Sequence, residues 1–263
     1  MVGRRYTKAS LKVNKKPSLH IALIGGHDST GGAGILADQE TVTAHGHLSK
    51  CLVTAITLQQ NPSQFKIVKV HKYGIDSQLA DLTDHPIDAL KIGMLPDQET
   101  VMAVSDFIYQ HADIPVVLDP VLTTSKGHRL IDQEGWGSMI EFLLPKTDLI
   151  TPNIDEALEI NPQKYTKQNP LELANRWIEK GANAVLVKGG HLKGEFSTDT
   201  LLTQNGEYTE FNWPRIDGGS EIRGTGCRLA SAIACNMAEQ ENLKDAIRRA
   251  GEYLQSYLLM KLS

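Results

Sequence analysis

The chain has 263 residues, of which 41% are hydrophobic and 22% are charged, and this composition suits one large α/β domain. Its net charge is −4, and the segment 1–19 carries six Lys and Arg residues and no acid, which leaves −10 on the remainder. The acidic body argues against nucleic acid as the main partner, and no apolar stretch approaches the roughly 18 residues that a membrane span needs.

The basic segment 1–19 lacks the apolar run of a secretory signal. We predict a disordered extension there, with a targeting role as the alternative, and a single domain over 20–263. The three cysteines, Cys51, Cys227 and Cys235, form no C-x-x-C pair and no metal-ligand spacing. This usage is typical of a reducing compartment and predicts a cytoplasmic protein. Cys51 and Cys235 fall in apolar patterns, which predicts packed core thiols.

Short apolar runs alternate with helical patterns along the chain. In chain order, strands are predicted at 20–26, 51–58, 87–94, 115–119, 148–153 and 184–190. Helices are predicted at 32–45, 75–82, 101–108, 154–160, 171–181, 225–238 and 243–260. Before the last two helices, the Asn205-Gly206 turn signal predicts a hairpin that joins DTLLT to YTEFNW.

The alternation of strands and helices predicts βαβ units with right-handed crossovers and a mostly parallel sheet that is covered on both faces. Ligands of such sheets bind beyond the carboxyl ends of the strands. Glycine-rich and polar segments lie at several of these predicted ends, and they are the candidate functional segments.

The first of these segments is GGHDSTGGAG, residues 25–34. Its glycines have the outline of a P-loop, but Gly32 and Ala33 stand where that loop needs Lys followed by Ser or Thr. A Walker nucleotide site is therefore excluded. A tight strand-to-helix turn and a substrate-facing loop both remain open for this segment.

Polar side chains follow three later strands. Asp119 ends one strand, and Asn153 and Glu156 share a face of the first helical turn after another. Two acids near phosphates could hold Mg²⁺ directly or through water, whereas a capping box explains Asn153 and Glu156 without any metal. Lys188 ends a further strand, where it could neutralise a phosphate or simply be solvated.

The segment EIRGTGCRLASAIA, residues 221–234, places a glycine loop directly before a helix. Unsatisfied amides and the helix dipole make such a junction an anion site. Cys227 lies at the helix N-terminus, a position that lowers the pKa of a thiol, so we predict a reactive cysteine there.

Taken together, these segments resemble the hydroxymethylpyrimidine phosphate kinase family of thiamin biosynthesis, within the ribokinase-like superfamily. The resemblance spans about 20–260. It rests on GGHDSTGGAGILAD, CLVTAITLQ, KIGML, VVLDPVL, LLPKTDLITPNIDEA, VLVKGGHLKG and RGTGCRLASAIA.

The resemblance implies a three-layer αβα fold and a homodimer that uses Mg-ATP to phosphorylate a pyrimidine alcohol and then its monophosphate. It assigns the phosphoryl anion hole to the glycine loop, whose cysteine acts as the base. The positions that carry this catalytic role are Gly224, Thr225, Gly226 and Cys227.

The resemblance also implies the binding residues. The pyrimidine would be bound by Gln59, which hydrogen-bonds the ring, by Met94 and Val121 as pocket walls, and by Gly25 and Asp38. The Mg²⁺–phosphate region is assigned to Asp119, Asn153 and Glu156, with Asp119 and Glu156 as metal ligands, and the nucleotide to Lys188 and Arg228.

The chain departs from the family pattern at three places. Arg223 and Arg228 flank the glycine loop where His and Thr are usual, Ser29-Thr30 replaces Pro-Ser, and the flap segment is TTSKGHRLI. These changes bear on how the substrate's own phosphate is bound, and the arginines are expected to add affinity for anions such as ATP. The alternatives are a pyridoxal or pyridoxine kinase of the same superfamily, and a non-catalytic pyrimidine-binding sensor.

Overall fold

The computed structural model describes residues 18–263 apart from 60–64, 85, 125, 161–168 and 191–193, so most of the predicted extension 1–19 lies outside the described residues. One sheet runs through the described chain in the order β3-β2-β1-β4-β5-β6-β7-β8-β9. Its strands are β1 His20–Asp28, β2 Leu48–Gln59, β3 Phe65–Lys69, β4 Ala89–Ile92, β5 Val116–Leu118, β6 Leu149–Ile150, β7 Ala184–Val187, β8 Phe196–Thr203 and β9 Tyr208–Pro214.

The helices follow the strands in alternation through most of the chain. They are α1 Gly34–Ala44, α2 Lys72–Leu82, α3 Gln98–Tyr109, α4 Gln133–Ser138, α5 Ile154–Leu158, α6 Pro170–Glu179, α7 Thr225–Ala238 and α8 Leu243–Leu262. Strands β1, β2, β4, β5, β6 and β7 are parallel to their neighbours in this group, and β3, β8 and β9 pair antiparallel at the two edges. The predicted mostly parallel sheet is confirmed.

The helices cover both faces of the sheet and bury a separate core on each. One core joins Ala22 and Ile24 of β1 to apolar residues of α2 to α6, and the other joins Ile21 and Leu23 to residues of α1, α7 and α8. Successive strand residues point to opposite faces, so a parallel sheet covered on both sides needs near-continuous apolar strands. The predicted three-layer αβα fold is confirmed.

One strand and one helix of the described residues were not predicted. Strand β3 is a short edge strand with exposed lysines, and it gives little hydrophobic periodicity. Helix α4, which continues as a π-helical turn over Met139–Leu143, contains two glycines that obscure its pattern. Gly135 is required there because a Cβ would lie 2.8 Å from the backbone carbonyl carbon of Asp97.

Some of the remaining local predictions are confirmed and one is wrong. The hairpin β8–β9 turns through Asn205-Gly206, with Gly206 at φ +86°, as predicted. Cys235 is buried, but Cys51 is exposed on β2, so the prediction of a core thiol at Cys51 is wrong. None of the helices in the described residues is both long enough and apolar enough to span a membrane.

Candidate active site

The carboxyl ends of the parallel strands lie along one edge of the sheet, and the predicted polar segments meet there. Asp119 directly follows β5, Thr151 follows β6 and Lys188 follows β7. A bridge between Asn153 and Lys188 continues the parallel pairing beyond the strand ends. The topology therefore brings together residues that are far apart in the chain.

Helix α7 presents its N-terminus to this cluster. Gly224 is the N-cap residue at φ +75°, a left-handed conformation that favours glycine, and a Cβ there would lie 2.4 Å from the Gly32 carbonyl oxygen. A Cβ on Gly226 would lie 3.0 Å from Lys188 Nζ and 4.0 Å from Asp119 Oδ2. The amide end of a 14-residue helix, a lysine and a carboxylate thus converge, which is a geometry for binding phosphate.

Lys188 and Asp119 form a buried ion pair with an Nζ–Oδ1 distance of 2.7 Å. Their side chains are 13% and 3% exposed, and Thr151 Oγ1 also donates to Asp119 Oδ1 at 3.3 Å. Burial by itself lowers the pKa of Lys188, but Asp119 and Glu156 outweigh it and raise that pKa. Burial likewise opposes ionisation of Asp119, yet Lys188 and Lys91 hold the pKa of Asp119 below its usual range. Both groups are therefore charged near neutral pH.

Asn153 and Glu156 form a capping box at the start of α5. The Glu156 N–H donates to Asn153 Oδ1 at 2.9 Å, and the Asn153 N–H donates to Glu156 Oε2 at 2.8 Å. Burial raises the pKa of Glu156 to about 7. The nearby Asp119 carboxylate acts in the same direction, and Lys188 acts against it. The capping interpretation is confirmed, and binding of Mg²⁺ by Glu156 stays a prediction.

Cys227 lies in the first turn of α7 and is partly exposed. Burial raises the pKa of its thiol to about 11, with Asp38 and Asp119 acting in the same direction and Lys91 and the Gly34 N–H against it. The expectation of a lowered thiol pKa is therefore wrong, because burial and two carboxylates outweigh the favourable groups. Cys227 is protonated at neutral pH.

Residues predicted to wall the pyrimidine pocket lie next to this cluster, since the Val121 N–H donates to the Asp119 carbonyl oxygen at 2.8 Å. Met94 and Val121 belong to one small apolar group with Phe65. Gly25 lies in β1 against the backbone of Gly93 and Met94. A Cβ added to Gly25 would lie 3.8 Å from the Met94 amide nitrogen. Gln59 ends β2 opposite Phe65, but its side chain lies outside the described part of the chain. The predicted wall residues are brought together, and the ring contact of Gln59 stays a prediction.

The Phe65 ring stacks on His128, with ring centroids 4.6 Å apart and planes 3° apart. His128 belongs to the segment TTSKGHRLI, and two residues after His128 the Leu130 N–H donates to the Leu122 carbonyl oxygen. The stack therefore joins β3 to that segment beside the apolar group.

Asp38 does not line this pocket. It is 0% exposed, its carboxylate contacts Lys91 Nζ at 2.8 and 2.9 Å, and Ser231 Oγ donates to it at 2.8 Å. The assignment of Asp38 as a substrate contact is thereby corrected, since no surface of its side chain is accessible. Lys91, which is 1% exposed, was not predicted, although a lysine inside the apolar strand ALKI is the signal that marks it.

The assignment of Arg228 as a nucleotide-binding residue is likewise corrected. Its guanidinium is paired with Glu40, stacks 4.4 Å from the Tyr257 ring centroid and lies 3.4 Å from the Gly32 carbonyl oxygen, and the residue is 3% exposed. These contacts face into the protein, so the structure gives Arg228 a role in packing α7 rather than in binding ATP.

Arg223 is also paired, with Asp28 at 2.9 Å and with Thr30 at 2.6 Å. Both partners belong to the first glycine-rich segment. The expected gain in anion affinity from Arg223 is therefore offset by Asp28, and the pair links the first glycine-rich segment to the loop before α7.

We expect Arg228→Met to lower stability without changing nucleotide affinity. Loss of the cation–π and hydrogen-bond contacts costs about 2 kcal/mol, which lowers the Tm by about 5 °C for a chain of this size. Thermal unfolding and the KM for ATP measure the two effects separately. A KM for ATP that rises tenfold at an unchanged Tm contradicts the packing role of Arg228. The control is Arg223→Met, which removes a more exposed ion pair.

Asp199 was not predicted, and it contacts the backbone of the residue that follows Lys188. The Gly189 N–H donates to Asp199 Oδ1 at 2.9 Å, and Trp213 Nε1 donates to Oδ2 at 3.1 Å. A Cβ on Gly189 would lie 1.9 Å from the Thr198 carbonyl oxygen, so only glycine fits. Burial raises the pKa of Asp199 to about 6. Asp199 of β8, held by Trp213 of β9, therefore fixes Gly189 directly after Lys188.

The three-layer fold, together with its likeness to solved kinase structures, defines the class of the protein as a ribokinase-like kinase. The phosphomethylpyrimidine kinase family model matches residues 28–263. The chain belongs to the phosphomethylpyrimidine kinase family.

Two relatives illustrate the match. The hydroxymethylpyrimidine/phosphomethylpyrimidine kinase of Escherichia coli is 35% identical over 238 residues, which are 89% of each chain. The thiamine biosynthesis bifunctional protein ThiED of Geobacter sulfurreducens is 36% identical over 253 residues. Those residues are 94% of this chain, which spans 51% of the length of the Geobacter protein.

Solved structures agree with this placement. Phosphomethylpyrimidine kinase from Clostridium difficile has a TM-score of 0.77 at 30% identity and covers 92% of this chain and 100% of its own. An ADP complex of Bacillus subtilis pyridoxal kinase has a TM-score of 0.79 at 28% identity, with 90% of each chain covered. The same fold therefore occurs in a phosphomethylpyrimidine kinase and in a pyridoxal kinase.

Proposed function

We propose that the protein transfers the γ-phosphoryl group of ATP to 4-amino-5-hydroxymethyl-2-methylpyrimidine and then to its monophosphate, which yields the diphosphate for thiamin biosynthesis. The observation that carries this proposal is the convergence of the α7 N-terminus with Lys188 and Asp119 at the sheet edge, beside the Met94–Val121 wall. The names of the Escherichia coli and Geobacter relatives support the choice of substrate.

The chain's own groups can stabilise phosphoryl transfer without forming a covalent bond. The amides of residues 224–227 and the dipole of α7 face the position where negative charge develops, and Lys188 neutralises the nucleotide phosphates. As the hydroxyl oxygen bonds to the γ-phosphorus and the bond from that phosphorus to ADP breaks, the thiolate form of Cys227 takes the hydroxyl proton. Positioning and charge neutralisation then supply most of the barrier reduction.

Two carboxylates fit a magnesium ion held mainly by water and nucleotide phosphates. In the part of the chain that the structure describes, no three His, Cys, Asp or Glu side chains form a metal cage, and Asp119 and Glu156 are hard oxygen ligands of the kind Mg²⁺ prefers. Asp119 and Glu156 would hold the ion directly or through water, and the ion would neutralise phosphate charge.

Glu156→Gln and Asp119→Asn are each expected to lower activity and raise the Mg²⁺ concentration at half-maximal rate. The amide removes a negative charge from the ion's surroundings but keeps the shape of the side chain. Magnesium titrations of the initial rate measure this. An unchanged magnesium dependence in the Glu156→Gln enzyme would leave Glu156 with the capping role alone.

Gln59 is proposed to recognise the aminopyrimidine, since an amide can donate to a ring nitrogen and accept from the exocyclic amine. An unpaired buried polar group costs about 1–3 kcal/mol. Gln59→Leu should therefore raise the KM for the pyrimidine by about tenfold or more and leave the KM for ATP nearly unchanged. Equal changes in both KM values contradict this assignment.

The proposed activity is tested by measuring ADP release with hydroxymethylpyrimidine, its monophosphate and pyridoxal, each with Mg-ATP. The proposal expects turnover of both pyrimidines. Turnover of pyridoxal alone would support the pyridoxal kinase alternative, which the likeness to the Bacillus enzyme favours. Pyrimidine binding without ADP release would support the non-catalytic sensor.

We also propose a cytoplasmic homodimer with one kinase domain over 20–263. Support for a dimer comes from exposed apolar side chains on β2 and β3, where Leu48 is 53%, Ile56 37% and Val68 50% exposed. Three free cysteines suit a reducing compartment. Light scattering of the purified protein measures the mass, and a monomer contradicts the dimer.

A further inference from the structure

A fully buried ion pair lies below the first turn of α7, and phosphoryl transfer as described so far does not use it. Lys91 is 1% and Asp38 0% exposed, and Lys91 Nζ contacts both carboxylate oxygens at 2.8 and 2.9 Å. Replacing such a pair with apolar residues is often neutral or stabilising, because burying two charges is costly. Stability alone therefore does not explain a charged pair at this position.

The pair lies on the side of α7 that carries Cys227. Asp38 comes from α1 and Lys91 from β4, and Ser231 of α7 donates its hydroxyl to Asp38 Oδ1 at 2.8 Å. Ser231 is four residues after Cys227, so the two side chains share one face of the helix, one turn apart. A Cβ on Gly93 would lie 2.8 Å from Lys91 Nζ, which places the ammonium group against the strand end that leads to Met94.

Charged groups from four elements act on the Cys227 thiol. Lys91 of β4 favours the thiolate, whereas Asp38 of α1 and Asp119 after β5 oppose it. Lys188 after β7 also interacts with Cys227 electrostatically. Among the groups that lower the pKa of Cys227, Lys91 has the largest effect, and the opposing effect of Asp38 is smaller.

We propose that Lys91 is a positioning residue for phosphoryl transfer, whose ammonium group stabilises the Cys227 thiolate while Asp38 and Ser231 hold it beneath the first turn of α7. This inference rests on the proposed role of Cys227 as the base. Lys91 touches no reacting atom, because it is buried beneath the helix. Its charge raises the fraction of Cys227 present as thiolate, the form that accepts a proton, in a site that otherwise disfavours the anion.

The test measures alkylation of Cys227 by iodoacetamide between pH 7 and 9, without ATP or pyrimidine, in a Cys51→Ser, Cys235→Ala background. Below the pKa of a thiol, the thiolate fraction and hence the alkylation rate fall about tenfold for each unit by which that pKa rises. We expect Lys91→Met to slow alkylation by about tenfold or more. We expect kcat to fall with it and the KM for ATP to stay within about threefold.

Two further variants make the result decisive. The double variant Lys91→Met/Asp38→Leu leaves neither member of the pair as an unpaired buried charge. Slowed alkylation is again expected, because Lys91 affects the pKa of Cys227 more than Asp38 does. Asn236→Leu is the matched control. Asn236 lies on α7, like Cys227, and its side chain donates a buried hydrogen bond to the Ala246 carbonyl oxygen, so the substitution removes that bond and changes no charge. It should leave the alkylation profile unchanged.

Alkylation within twofold of the parent rate in either folded Lys91 variant overturns the proposal, and so does failure of both variants to fold, because the pair is then structural. Slowed alkylation in the Asn236 variant also overturns it. The readout needs no substrate, so it stands apart from the kinase activity. Slowed alkylation in an enzyme that does not phosphorylate pyrimidines would overturn the proposed function and keep the electrostatic link.

Discussion

Replacing Cys227 with alanine is expected to lower kcat by about 10²–10⁴-fold, the usual loss on removal of a general base, while ATP binding is retained. The amides of residues 224–227 and the Lys188 side chain do not depend on the thiol, so the phosphate-binding groups persist. Cys227→Ser should behave similarly, because a hydroxyl has too high a pKa to act as a base near neutrality. Steady-state ADP release and calorimetric titration with ATP measure the two quantities.

The pH dependence gives an independent check of the same assignment. Burial raises the pKa of Cys227 to about 11, so only a small thiolate fraction exists at pH 7 and that fraction grows as the pH rises. The parent enzyme should therefore gain rate by about tenfold per pH unit above the titration of Glu156 near pH 7. The alanine variant should lack this slope. An alanine enzyme with a kcat near that of the parent removes the base role and leaves the backbone anion site.

Lys188→Met is expected to abolish turnover and to destabilise the protein. Asp119 is 3% exposed and would keep a buried charge without its partner, which costs about 3 kcal/mol and lowers the Tm by about 6–12 °C. The loss of a positive charge at the transferring phosphate lowers kcat by at least about 10²-fold. Thermal unfolding and ADP release measure the two effects.

The double variant Lys188→Met/Asp119→Leu separates stability from catalysis. It leaves no unpaired buried charge, so most of the Tm should return while turnover stays lost. The pKa of Asp119 is lowered by the pair, so the stabilisation is present above the unfolded-state pKa of Asp119 and is lost as the pH falls through the folded-state value. A Lys188→Met enzyme with the parent Tm at pH 7 contradicts the ion-pair argument.

Local pattern was enough to predict the layered fold. Apolar runs that alternate with helical patterns specify buried parallel strands, and Gly224 and Asn205-Gly206 mark turns whose backbone needs are local. The rule that places ligands at strand ends predicted Asp119 and Lys188 as site residues, and the family resemblance implied that the α7 N-terminus joins them. The capping box of Asn153 and Glu156 is also local, since the two residues lie three positions apart in the chain.

Charge states and burial were decided by tertiary contacts. Helical position alone predicts a lowered thiol pKa for Cys227, but the burial and carboxylates that raise it come from α1 and the β5 end, more than 100 residues away in the chain. Arg228 looks like an anion ligand beside a glycine loop until Glu40 and Tyr257 enclose it. Electrostatic free energy depends on distance and on removal from water, and both are set only when distant segments pack together.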